Sequence, residues 1–420
     1  MKKIFTLIII LLSFSIMACC AEVSPDKEIL MRTPTIDGKI IPGEWDIFYS
    51  IPEENNSIVT YANWDSKNLY LAAECNAIDN FAIMVDLNAD GWTVGEDNYL
   101  IKTNENGEID ILKVVKTGDN GVTLVSVVVS QENQIHAEKS LVNGKTNIEI
   151  SIPATMFDLG KFSMGNLNFN LSIEAPVTGW SSFNPNDITD NTFGCKLVNY
   201  KSSSLEPFSI EFFLTKQYVV AGDTLDGKVK IKNNSKEAVV VKELIMAGEG
   251  LCEDLVSSSK IIVGEIKPGK TFEREYHTRV LADTDLGCKV LGCEIYTKDM
   301  KVGGALRSFQ VINQAVFSPY VPKPVCYTSD KVIRLGVRVI SYSDKKYSTG
   351  FASVVVPEGW EIEGNNHNKF SIKGYNKYVD LIFRLTPPLG AVGHYKIPVV
   401  VNMGDTQETV ICDFDIVQSK

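Results

Sequence analysis

Along most of the chain, apolar and polar residues alternate in short runs, and Gly, Asn, Asp and Pro punctuate them roughly every ten residues, a spacing typical of sandwich strands. No long stretch carries apolar residues at the three-and-four spacing of an amphipathic helix. Because successive strand side chains point to opposite faces, this pattern predicts half-buried strands, and many short ones predict β-sandwiches. The fold class expected is therefore all-β. The clearest strand-like runs are Ile58–Trp64, Leu69–Ala73, Phe81–Val85, Tyr99–Ile101 and Asn147–Ile152, then Gly227–Asn234 and Val239–Lys242, then Val379–Pro387 and Gly393–Val399. Two breaks stand out, a polar Ser-rich stretch from Asn199 to Pro207 and a triple-proline stretch from Ser318 to Pro324. They divide the chain into three tandem β-sandwiches, over 30–200, 207–315 and 320–420.

The chain opens differently. Lys2 and Lys3 precede an uncharged apolar run from Ile4 to Ala18, and small residues close it, which is the pattern of an export signal. The run is shorter than the roughly 20 residues a membrane span needs. Ile16-Met17-Ala18-Cys19 resembles the lipobox of bacterial lipoproteins, which implies a signal over 1–19 and Cys19 as a lipid-modified residue, with a soluble secretory signal cut after Ala21 as the alternative. Either reading places the protein outside the cytoplasm, on the cell surface or in the periplasm.

Charge narrows the choice of partners. The sequence holds 41 Lys and Arg against 52 Asp and Glu, a net charge of −11, with no basic stripe, so a nucleic-acid surface is not expected. The four histidines, His136, His277, His367 and His394, are too scattered to read as ligand pairs. Beyond Cys19 and Cys20 lie seven cysteines with no C-x-x-C among them. In an oxidising compartment the simplest pairing joins Cys75 with Cys195, Cys326 with Cys412, and Cys252 with Cys288 or Cys293, although spacing alone does not fix connectivity.

Several motifs in the first part follow one another in a distinctive order: Ile36-Asp37-Gly38-Lys39 with Glu44-Trp45, then Trp64-Asp65-Ser66-Lys67-Asn68-Leu69-Tyr70-Leu71, then Val85-Asp86-Leu87-Asn88-Ala89-Asp90-Gly91, and last Ile150-Ser151-Ile152-Pro153. In this order and wording the first part resembles the family 9 carbohydrate-binding module and its DOMON-like relatives. The resemblance implies a sandwich that binds polysaccharide or glycan, with Trp45 and Trp64 in its core. The third part, with Val356-Pro357-Glu358-Gly359-Trp360, resembles the immunoglobulin-like modules that accompany secreted glycosidases, which implies a spacer.

Two kinds of candidate chemistry follow. Asp86, Asn88 and Asp90 place oxygen ligands at every second residue ahead of Gly91, and Asp97 stands at the twelfth position, a spacing able to wrap calcium. The competing reading is a hairpin whose Asp and Asn side chains cap their own backbone. Trp92, directly after this turn, and Trp180, with Phe183 and Asn184 close behind it, lie in loop-like stretches where an indole offers a sugar platform with an amide beside it. Gly264-Glu265-Ile266-Lys267-Pro268-Gly269-Lys270-Thr271 matches the phosphate-loop pattern, but the following residues alternate as a strand does and Pro268 lacks an amide, so a turn between strands is expected. No nucleophile-base motif stands out, and among 52 acidic residues the sequence selects no glycosidase pair. The reading is thus a non-catalytic carbohydrate-binding protein with two spacers. The alternative is a structural or adhesive protein whose partners are other surface proteins.

Overall fold

The computed structural model of the chain describes residues 27–41, 43–51, 57–117, 121–127, 134–176, 178–181, 184–185, 192–204, 207–246, 260–298, 300–404 and 406–419. The leader with Cys19, and also Phe183 and Cys252, lie outside the described residues. The fold is all-β, as the alternation predicts, and among the described residues no helix is long and apolar enough to cross a membrane.

Strands are numbered in chain order. Up to Val198 they form three sheets. One has the order β1 (Lys27–Leu30), β14 (Cys195–Val198), β11 (Gly165–Asn166). The second runs β2 (Ile47–Ile51), β3 (Ile58–Trp64), β4 (Asn68–Cys75), β10 (Lys145–Pro153), β9 (His136–Val142). The third runs β13 (Gly179–Trp180), β12 (Asn168–Ala175), β5 (Asn80–Asp86), β6 (Asn98–Thr103), β7 (Ile109–Thr117), β8 (Gly121–Ser126). The second and third sheets face each other across Trp64, Leu69, Leu71, Phe81, Ile83 and Phe169.

From Tyr200 to Ile312 two sheets enclose another core. The larger has the order β15 (Tyr200–Ser204), β23 (Met300–Ile312), β22 (Gly287–Thr297), β19 (Val239–Met246), β20 (Lys260–Ile266), with β17 (Tyr218–Val220) also on β23; the smaller is β16 (Phe208–Leu214), β18 (Thr224–Asn233), β21 (Thr271–Arg279). The Ser-rich stretch after Asn199 is therefore itself a strand. From Ala315 onward, β24 (Ala315–Tyr320), β26 (Ile333–Ser341), β30 (Lys377–Thr386) and β28 (Glu361–Ile362) face β25 (Val325–Tyr327), β32 (Thr406–Val417), β31 (Gly393–Met403), β27 (Ser348–Val354) and β29 (His367–Ile372) across a third core. Trp360 is buried there, edge-on to Tyr395 and Phe414.

The sequence motifs of the first part have structural explanations. Asp65 Oδ1 accepts the Lys67 and Asn68 amides at 2.7 and 2.9 Å, turning the chain between β3 and β4, while Oδ2 accepts the Tyr70 hydroxyl at 2.7 Å. Glu149, fully buried on the outer side of β10, accepts the Asp37 and Gly38 amides at 2.8 and 2.6 Å and the Trp45 indole N–H at 3.1 Å. That carboxylate fastens the segment before β2 over the sheet. Gly38 is needed twice: its φ is +81°, and a Cβ there would lie 3.0 Å from the Ser140 Cβ.

The cysteines differ from the pairing expected. Cys75, Cys195, Cys288, Cys293, Cys326 and Cys412 are buried thiols. Sulfur is directed at backbone: Cys75 Sγ lies 2.8 Å from the Ala77 carbonyl, Cys195 3.2 Å from Phe193, Cys326 3.4 Å from Lys323 and Cys412 3.1 Å from Gly336. Each therefore behaves as a small core residue with a weak S–H donor. The phosphate-loop lookalike is a turn joining β20 to β21, closed by the Lys270 amide on the Lys267 carbonyl at 3.0 Å, and a strand follows it.

Burial raises the Glu149 carboxyl above its usual range, against the amide donors that favour the charged form. Because the folded state then holds the proton more tightly, the stability this group confers is greatest below the ordinary carboxylate pKa and declines as pH rises through its folded value. Glu149→Ala strands three donors and is expected to lower unfolding free energy by about 3 kcal/mol in urea titrations. Glu149→Gln should flatten the decline with pH.

Candidate binding face

The site begins with the two faces of the six-stranded sheet containing β5. Phe81, Ile83 and Val85 point into the core, so Asn80, Ala82, Met84 and Asp86 point outward. Register extends this outer face across the neighbours. Met84 lies between Asn170 on β12 and Leu100 on β6, and Leu100 lies beside Leu112 on β7. Ala82 lies beside Ser172, and Asp86 between Asn168 and Asn98. The face therefore grades from amides and a hydroxyl on β12 to apolar side chains on β5, β6 and β7.

Trp180 closes one corner. It pairs across strands with Glu174, and its indole packs against the cluster of Ala82, Met84, Leu100 and Val114. Its position is fixed through Ser181, whose amide donates to the Ile173 carbonyl at 2.9 Å and whose Oγ accepts the Ile173 amide at 3.0 Å. Glu174 Oε2 accepts the Asn80 amide at 2.7 Å, and Asn80 Oδ1 accepts the Thr103 hydroxyl at 3.0 Å. Asn184 is exposed just beyond this corner.

The loop between β5 and β6 rims the opposite end. Val94 packs on the same apolar cluster as Trp180, and Trp92 stands two residues earlier in the chain. Trp92 is 73% exposed. Of the two tryptophans singled out in the sequence, Trp92 is held out to solvent on the turn between β5 and β6, and Trp180 is half-buried on the sheet. Asn170 and Ser172, in the middle, are fully buried.

The Asp-rich turn is built by self-capping. Asp86 is fully buried; its Oδ1 accepts the Ala89 amide at 2.8 Å, and Oδ2 accepts the Gly91 amide at 2.9 Å and the Asn168 side-chain amide at 3.1 Å. Asn88 Oδ1 accepts the Asp90 amide at 2.9 Å, and Asp90 Oδ1 accepts the Trp92 amide at 2.8 Å. Of the expected calcium ligands Asp86, Asn88, Asp90 and Asp97, only Asp97 keeps a buried oxygen, Oδ2, without a partner. Among the described residues no group of three or more His, Cys, Asp or Glu is arranged to hold a metal ion. The hydrogen bonds within the turn are those of the self-capped hairpin alternative.

Sequence reading found the two tryptophans and missed the polar row. Its signal was present in Asn168-Phe169-Asn170-Leu171-Ser172-Ile173-Glu174, where strict alternation marks one face polar and the other core.

No known family model matches the sequence, and no curated protein matches it. Solved structures resemble parts of it. A carbohydrate-binding module of family 9 from Caldicellulosiruptor kristjanssonii, in complex with cellotriose, is 14% identical over 37% of this chain and 80% of its own, with a TM-score of 0.26. The CBD12 region of CALX1.2 is 13% identical over 47% of this chain and 83% of its own, with a TM-score of 0.26. Red sea bream transglutaminase is 10% identical over 82% of this chain and 58% of its own, with a TM-score of 0.30. Likenesses this weak carry no argument about function.

Asp86→Ala removes the acceptor for two loop amides and is expected to raise hydrogen exchange across residues 87–97 at least tenfold while the rest of the sheet keeps its protection. Adding calcium and then chelating it separates the two readings of the turn: a melting temperature raised by calcium supports the cation loop, and an unchanged one supports the self-capped hairpin.

Proposed function

We propose that the protein is an exported, non-catalytic binding protein that takes polysaccharide or glycan at the exposed Trp92 on the turn between β5 and β6. The observation that carries this reading is the exposure of Trp92. An indole left in water costs apolar surface unless a ligand covers it, and a pyranose ring offers the C–H face that stacks on it. Asn88, Asp90 and Asn184, all exposed near the two tryptophans in sequence, supply donors and acceptors for sugar hydroxyls. Trp92 also sits on a turn whose backbone is already fixed by Asp86 and Asp90, so little ordering is left to be done on binding.

In this reading the first part is the DOMON-like binding sandwich, and the two later sandwiches are immunoglobulin-like spacers. Cys19 carries the lipid that tethers the assembly to the outside of a membrane. One observation favours a second reading. Trp180 packs on Met84 and Leu100, the behaviour of a core residue, and a protein that uses its sheets only to contact other surface proteins needs no open sugar site.

Titration of the mature chain against a panel of neutral and acidic polysaccharides separates the two. Carbohydrate binding that weakens tenfold or more in Trp92→Ala, with an unchanged melting temperature, supports the first reading, tenfold corresponding to about 1.4 kcal/mol. Absence of binding to every polysaccharide, with retained binding to a surface protein, supports the second.

A further inference from the structure

A cavity of about 330 Å³ lies on the outer side of the large sheet that begins with β15, away from Trp92 and Trp180. Its origin is a missing side chain. On that outer side Gly304 of β23 stands between Ser203 of β15 and Glu294 of β22, so the row has a gap at its centre. Lys201 and Leu306 form the next row, Lys301 borders the gap, and Glu28 of β1 closes it from the neighbouring sheet.

Among the described residues Glu294 and Lys301 pair across the gap, while Lys201 and Glu28 make no ion pair. Glu294, nearly buried, accepts the Tyr296 hydroxyl at 2.9 Å and an ammonium hydrogen of Lys301. Arg32 and Asp46 lie 3.7 Å apart. Lys201 makes no hydrogen bond or ion pair among the described residues, and Asp46 and Glu28 act on it only at a distance. Glu28 is exposed and hydrated. Lys201 is only partly exposed, and this burial lowers it from the ordinary lysine range although the carboxylates of Asp46 and Glu28 act against that shift. Such a group lining a cavity marks a place where a ligand supplies the missing charge.

We propose that this cavity binds a small hydroxylated carboxylate of the sugar-acid class, its carboxylate on Lys201. The volume exceeds what a bare carboxylate fills, and the remaining wall is suited to hydroxyl groups: Ser202 and Ser203 donate or accept, and Glu28 and Glu294 accept. The site does not depend on Trp92, and the two fail separately.

The test is calorimetric titration of the mature chain with sodium glucuronate, with glucose and acetate as controls. Saturable glucuronate binding is expected, weakened at least tenfold in Lys201→Met, largely kept in Lys201→Arg and unchanged in Trp92→Ala, with glucose not binding. The melting temperature of Lys201→Met should equal or exceed that of the parent, because an unpaired charge has been removed. Lack of saturable binding to the parent chain, parent-like affinity in Lys201→Met, or acetate binding as tightly as glucuronate would each overturn the proposal.

Discussion

A β-strand has two faces and a sandwich buries only one of them, so the structure depends on what happens to the second face of each sheet. The inner faces settle themselves. Trp64, Phe81 and Phe169 in the first core, Phe212 and Leu225 in the second, and Phe383 and Phe414 in the third leave water together, and alternation then forces the intervening residues outward. The outer faces are solved individually. One is covered by a segment fastened to a buried carboxylate, one carries a polar row and Trp180, and one holds a cavity lined by Lys201.

This division sets what was readable in the chain. Fold class followed from period alone, because hydrophobic burial acts on every strand and leaves the same mark each time. The burial of Trp45 and Trp64, implied by the resemblance of the first part, was equally legible. The Asp86 turn was half legible. Its spacing serves both a cation and a set of backbone amides, and only the three-dimensional direction of the N–H groups distinguishes them.

Other features rest on pairings distant in sequence and left no local trace. Glu149 meets Asp37 and Gly38 across more than a hundred residues. The gap at Gly304 lies between Glu294, across one hairpin, and Ser203, about a hundred residues earlier in the chain. The cysteines misled for a related reason. An expected oxidising compartment argues for disulfides, whereas the sulfurs of Cys75 and Cys412 are directed at backbone carbonyls, and the choice between bond and thiol is made by side-chain direction.

The pairing of β1 with β14 is parallel, Lys27 beside Cys195 through to Leu30 beside Val198. Chain therefore enters this ladder at one end and leaves it at the other. Tension between a tether ahead of Lys27 and the chain beyond Val198 pulls along the strands, loading their hydrogen bonds together in shear instead of peeling them one by one. Trp64 adds to that resistance, since its indole N–H holds the Ile29 carbonyl at 2.9 Å and lies 3.3 Å from that of Val198. A short strand at the edge of a small sheet thereby becomes a mechanical clamp between the chain ahead of Lys27 and the chain beyond Val198.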